Sequence, residues 1–110
     1  VSETQLSRSI QDALAGVGLW CIRVHSGKVR VRGGWLQLAE PGTPDLYCIA
    51  LCWFEVKLPG QKPNADQLKW HARAKAMGEK VYVVSSVEEA VEHGLAEKQC
   101  LEYERANGWR

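Results

Sequence analysis

The sequence predicts a single α/β domain in which a central mixed sheet is flanked by helices, and three observations carry that prediction. Leu6, Ile10, Leu14 and Val17 recur at helical spacing. The apolar-rich segments 45–50 and 53–58 are joined by a link too short for anything but an antiparallel hairpin. A further strand-like segment at 80–85 follows after a helical stretch, which makes a right-handed crossover to a parallel neighbour. A chain of 110 residues with 45% hydrophobic content suits one domain around one core.

Along the chain, Ser2 with Gln5 forms a capping-box pattern that starts a helix running to the glycines at 16 and 18. Residues 19–25 read as a first strand. Lys28, Arg30 and Arg32 then alternate with Val29 and Val31, so a strand there holds three cations on one face. Gly33-Gly34 breaks it before 35–38. That basic face is either a solvated strand surface or a track for a phosphate backbone, and its closeness to Arg23 favours the second. Leu58 to Pro63 is a loop. Asn64 caps a helix to about Met77, which Gly78 ends. This helix carries Ala65, Leu68, Ala72 and Ala76 on one side and Trp70, Ala74 and Met77 on another, so it either packs twice or uses Trp70 to cover a local groove. Ser86 and Glu89 open a last helix expected from Val87 to about Lys98. The core is expected over 2–92, with 93–110 an acidic helix or tail, peripheral or dimer-forming.

Chemistry concentrates at Gly42-Thr43-Pro44-Asp45 and, ten residues on, Glu55-Val56-Lys57. In a strand Glu55 and Lys57 share a face, while Val56 points away and offers only its backbone carbonyl. Mg²⁺ keeps several waters and needs one or two carboxylates beside a substrate phosphate, so Asp45 and Glu55 suffice as its side-chain ligands. Lys57 would orient a water or offset transition-state charge. For Asp45 to face Glu55, paired residue numbers must sum to an even value. This predicts an odd-length turn over 50–52, or Asp45 bent inward ahead of its strand. Glu3 lies on the apolar side of the first helix, as a site acid or a favourable charge at the helix N-terminus. Gln67 is either the reciprocal half of a capping box with Asn64 or a site-positioning side chain. His71 and His93 read as surface or packing residues.

Gly-x-Pro-Asp, then Glu-x-Lys, then a helix with Gln67, resembles the PD-(D/E)XK nuclease superfamily. The order of pieces from about Ser2 to Glu92 is most similar to its VRR-NUC (virus-type replication-repair nuclease) family, in the short stand-alone form of phages and bacteria. Arg23-Val24-His25-Ser26-Gly27 resembles the family's Arg-x-Asn-Ser-Gly stretch with His25 in place of Asn, and His71 stands where a related branch carries Tyr. The resemblance implies a restriction-endonuclease-like αβββαβα core. It further implies a Mg²⁺-dependent endonuclease, with Mn²⁺ able to substitute, using Asp45, Glu55, Lys57, Gln67 and Glu3. The expected substrate is DNA, in particular four-way junctions or flaps, cut by a homodimer. Arg23, Lys28, Arg30, Arg32, Lys62 and Lys69 are the candidate DNA contacts.

Net charge is only +1, yet residues 1–80 carry eleven Lys and Arg against seven acids, and 81–110 carry three against six. The basic part is the part with the site, as a phosphate-binding enzyme requires. Cys21, Cys48, Cys52 and Cys100 read as reduced thiols in apolar segments, since Cys48-x-x-x-Cys52 lacks the second ligand pair of a structural zinc site. No apolar run of about 18 residues and no signal-peptide pattern is present, so a cytoplasmic protein without membrane contact is expected, in a bacterial cell or phage-infected host. Two rival readings remain: a non-catalytic nucleic-acid-binding module on the same fold, and an oligomeric structural protein.

Overall fold

A computed structural model of the chain describes residues 1–24, 28–32, 34–37 and 39–108, with 28–31 and 34–37 described by their backbone. The expected first-strand end at His25, the Ser26-Gly27 turn, Gly33, Leu38 and Trp109 lie outside the described residues. Helix α1 spans Glu3–Gly16, followed by strands β1 (Cys21–Arg23), β2 (Lys28–Val31), β3 (Gly34–Gln37), β4 (Leu46–Cys48) and β5 (Cys52–Val56). Helix α2 (Ala65–Ala76), strand β6 (Val81–Val84) and helix α3 (Val87–Ala106) complete the chain.

Strands β1, β4, β5 and β6 lie in that order in one sheet, antiparallel up to β5 and parallel between β5 and β6. The core is therefore the anticipated αβββαβα, with the β2–β3 hairpin inserted between β1 and β4 as a separate two-stranded sheet. Lys28 and Arg30 fall on β2, where only the backbone is described, and Arg32 is exposed just beyond it.

Cross-strand partners share a face of a sheet. Leu46, Cys48, Cys52, Phe54 and Val56 thus point one way and meet Ile10 and Leu14 of α1 and Ala90 of α3, forming the buried core. Gly94 of α3 is part of that packing: a Cβ there would stand 2.8 Å from Leu19 and 3.1 Å from Leu14. The last helix does not stop near Lys98 but runs to Ala106, because nothing from Gln99 to Arg105 breaks it and Asn107 caps it. Tyr82 of β6 donates its hydroxyl proton to Glu97 and stacks on His93 at 4.1 Å, which pins the middle of α3 to the sheet.

The opposite face carries Asp45, Tyr47, Trp53 and Glu55 and packs against α2. Trp70 meets Trp53 edge-on at 4.9 Å, so it covers a local groove. The Ala65, Leu68, Ala72 and Ala76 side of α2 is exposed, Leu68 at 56%. Both helix starts follow the sequence, since Ser2 with Gln5 and Asn64 with Gln67 form complete capping boxes.

Candidate active site

Register decides whether the acids meet. Leu46 pairs with Phe54 and Cys48 with Cys52, so paired numbers sum to an even value and Asp45, just ahead of β4, stands opposite Glu55. The loop has odd length, as that requires, but it is 49–51 rather than 50–52. Leu51 donates to the Cys48 carbonyl at 2.9 Å, and Ala50 adopts φ 65°, a conformation usually left to glycine.

The same register, continued by one pair, sets Val56 opposite Pro44. Proline has no N–H to donate, so the ladder between β4 and β5 ends there. Asp45 Oδ2 accepts the Val56 N–H at 2.8 Å instead, and the Val56 carbonyl faces a strand that offers it no donor. Gly42 explains its own place in the motif: at φ 90° a Cβ would sit 2.3 Å from the Asp66 carbonyl oxygen. Only glycine lets the segment before Asp45 lie against the first turn of α2.

Glu55 is 1% exposed. Its Oε1 lies 3.0 Å from His71 Nε2 and its Oε2 accepts from Gln67 Nε2 at 3.3 Å. Burial, then the facing Asp45 carboxyl through hydrogen bonding and charge, push its pKa up to about 9; Lys57 opposes the rise and Glu3 adds to it. Burial, then the charges of Lys75 and Lys57, hold His71 below the ordinary histidine range. The His71–Glu55 contact at neutral pH is therefore a hydrogen bond between neutral groups, not an ion pair.

The structure brings Gln67 into contact with Glu55 and sets Asp45 opposite it, with Lys57 and Glu3 close enough for their charges to act on Glu55. Gln67 fills both roles considered for it: its Oε1 accepts the Asn64 N–H at 2.9 Å while its Nε2 holds Glu55. Lys62 and Lys69 are exposed, on the loop after β5 and on α2. Arg23 pairs across with Leu46, so its side chain leaves the sheet on the α1 side, away from the acid pair. The sequence reading missed His71. Its signal was the i,i+4 spacing from Gln67, which puts both side chains on the same helix face.

Two carboxyls and the Val56 carbonyl are hard oxygen donors of the kind Mg²⁺ takes with its remaining waters. Among the described residues no group of three or more His, Cys, Asp and Glu is placed to hold a metal ion. A raised carboxyl pKa beside a second carboxyl is also what such a pair shows when no cation neutralises it.

The mixed sheet with α1 and α3 on one face, α2 on the other and the acid pair where β4 begins and β5 ends is a restriction-endonuclease-like arrangement, a nuclease-type fold. Comparison with solved structures gives the particular likeness. The chain matches a structure described as a "VRR_NUC domain" with a TM-score of 0.59 and 23% identity, over 82% of this chain and 90% of that one. No family model matches the sequence, and no curated protein matches it. The likeness is one of fold, and it supports the VRR-NUC resemblance read from the motifs.

Proposed function

We propose that this chain is a metal-dependent endonuclease of the VRR-NUC type that hydrolyses DNA phosphodiesters. The observation that carries the reading is the strand register that sets Asp45 opposite Glu55, with Lys57 two residues further along the same face. Three such groups on one face of a sheet serve no packing purpose, and Glu55, the buried one, is costly to place there.

Asp45, Glu55 and the Val56 carbonyl would hold Mg²⁺, with Mn²⁺ able to replace it. The bound cation would supply a water of lowered pKa and polarise a phosphoryl oxygen. Gln67 and His71 each hold one oxygen of Glu55 and fix the orientation of its carboxyl. The Val56 N–H does the same for Asp45. Lys57 places a positive charge where negative charge grows on the phosphate. Glu3 brings a further acid from the first turn of α1. Lys28, Arg30, Arg32, Lys62 and Lys69 would contact DNA, with the β2–β3 hairpin following a backbone, whereas Arg23 leaves the sheet on the α1 side and is not placed to do so beside the acid pair. The favoured substrate is branched DNA, a four-way junction or flap, cut by a homodimer in the cytoplasm of a bacterial or phage-infected cell. No helix among the described residues is long and apolar enough to cross a membrane.

The test is cleavage of labelled duplex, flap and four-way-junction DNA in Mg²⁺, Mn²⁺ or EDTA. Cutting that needs the metal and falls at least about 100-fold in Lys57→Ala supports the reading. A second reading, a DNA-binding module without catalysis, draws on the protonated state of Glu55. It requires DNA binding with no cutting under any metal, and Asp45→Asn binding as well as the parent. A protein that stays monomeric on junction DNA removes the dimer from the proposal.

A further inference from the structure

Three of the four cysteines form a row across the sheet, at the end away from the acid pair. Cys48 of β4 stands directly opposite Cys21 of β1 on one side and Cys52 of β5 on the other, all three on the core face. The backbone bonds show that the two pairings differ. Ile49 donates to the Trp20 carbonyl and Val24 to the Asp45 carbonyl, so the odd-numbered residues of β4 bond to β1. Cys21 and Cys48 are therefore a non-hydrogen-bonded pair, the closer kind, with Cα atoms about 4.5 Å apart. On the other side Trp53 bonds to β6 through Lys80, which leaves Cys48 and Cys52 as the wider, hydrogen-bonded pair at about 5.5 Å. Both spacings lie in the range a disulfide spans, and side chains approach most closely in the first.

Access distinguishes the thiols further. Cys48 and Cys52 are fully buried, whereas Cys21 is 5% exposed and lines a shallow, open cleft with Gln11, Asp12 and Trp20. A small oxidant in that cleft would meet Cys21 first and find Cys48 directly behind it.

We propose that Cys21 and Cys48 are a redox-modification site, closing a β1–β4 cross-strand disulfide when a peroxide enters the cleft beside Trp20. The Cys21 sulfur attacks the peroxide O–O bond, forming a sulfenic acid and releasing an alcohol, or water if the oxidant is hydrogen peroxide. The Cys48 sulfur then attacks that sulfur; the S–S bond forms and the sulfenic oxygen leaves as water with the Cys48 proton. Two thiols are oxidised and one peroxide is reduced. Hydrogen bonds from Cys21 and then Cys52 favour the thiolate at Cys48, which suits its attack on the sulfenic acid, whereas the contact with Cys48 and burial push the Cys21 thiol up and make its reaction with the peroxide the slow step. The bond would close a ring over 21–48, which contains the β2–β3 hairpin and Asp45.

The experiment treats the folded chain, in a Cys100→Ser background that removes the exposed thiol, with hydrogen peroxide. Alkylation and non-reducing peptide mapping follow. The expected product has lost the mass of two hydrogen atoms and links the Cys21 and Cys48 peptides, and its thermal midpoint rises by roughly 10 °C, reversed by a thiol reductant. Cys52→Ala should bridge as the parent does, and Cys21→Ala should slow oxidation of Cys48 at least about tenfold, since only thiols that reach the oxidant react fast. Overoxidised Cys21 without a cross-link, unreacted Cys21 and Cys48, or a Cys48–Cys52 bridge formed as fast in Cys21→Ala would each overturn the proposal.

Discussion

The two faces of the sheet are made by the same strands and do opposite work. Along β5, Cys52, Phe54 and Val56 point into a core shared by α1 and α3, while Trp53 and Glu55 point to α2. The core face meets Ile10, Leu14 and Ala90, all fully buried. The α2 face receives one buried residue from its helix, His71, and that residue is polar and bonds to an acid. Alternation along a strand thus lets five residues supply both a core and a site, and it isolates the cost of the site on the face that carries least of the stability.

Substitution on each face should separate the two functions. Phe54→Ala removes a fully buried ring from the core and is expected to cost about 3–5 kcal/mol, read as a lower denaturant midpoint. Asp45→Asn should do the reverse. An Asn carbonyl can still accept the Val56 N–H, while the charge that disfavours ionised Glu55 disappears, so stability at neutral pH should hold or rise although metal-dependent cleavage is lost. An Asp45→Asn protein as unstable as Phe54→Ala would show that the acid face carries stability as well.

The next effect is a pH dependence confined to the α2 face. Glu55 ionises near pH 4.5 as a free side chain and near 9 in the folded protein, so folding takes up a proton between those values. Its contribution to stability is full below pH 4.5, declines as pH rises toward 9 and is level above. Thermal midpoints in EDTA should therefore fall more steeply across this window in the parent than in Glu55→Gln, which has no such proton. Mg²⁺ has to displace the same proton, so its affinity should climb with pH over the window, measurable by calorimetry in buffers of different ionisation heat. Parallel curves for parent and Glu55→Gln would locate the raised pKa elsewhere.

What the sequence made legible divides along the same line. The even register that joins Asp45 to Glu55 follows from alternation once the two acids are required to meet, although the turn lies one residue earlier than expected. The caps at Ser2 and Asn64 follow from side-chain chemistry within one turn. The reason for Gly42 does not, because it is the approach of the Asp66 carbonyl from a helix more than twenty residues on. His71 reads in the sequence as a surface or packing residue because its partner, Glu55, is remote in sequence, and a histidine shows its role only through what it touches. The full length of α3 was hidden for another reason. Its second half has good helix formers but no clear apolar stripe, so periodicity fell silent where propensity alone continued the helix.

The smallest expected effect lies in the β4–β5 turn, where local chemistry opposes the fold. Neither Gly nor Asn marks that turn in the sequence, and the structure resolves the conflict by holding Ala50 at φ 65°. A left-handed conformation costs an L-residue about 1–2 kcal/mol, and a glycine there gives back about 0.5–1 kcal/mol through its freer unfolded chain. Ala50→Gly should therefore stabilise the protein by about 0.5–1 kcal/mol, a rise of a few degrees in thermal midpoint. Ala50 is exposed and sits at the end of β4 away from Asp45, so the change should leave the acid pair and any cleavage rate untouched. It should also leave the register intact, because the even pairing that faces Asp45 to Glu55 is held by Leu46 and Cys48 on the core face. A loss of cleavage in a stabilised Ala50→Gly protein would mean that the strained turn itself maintains the register, and that the two faces are less independent than their packing implies.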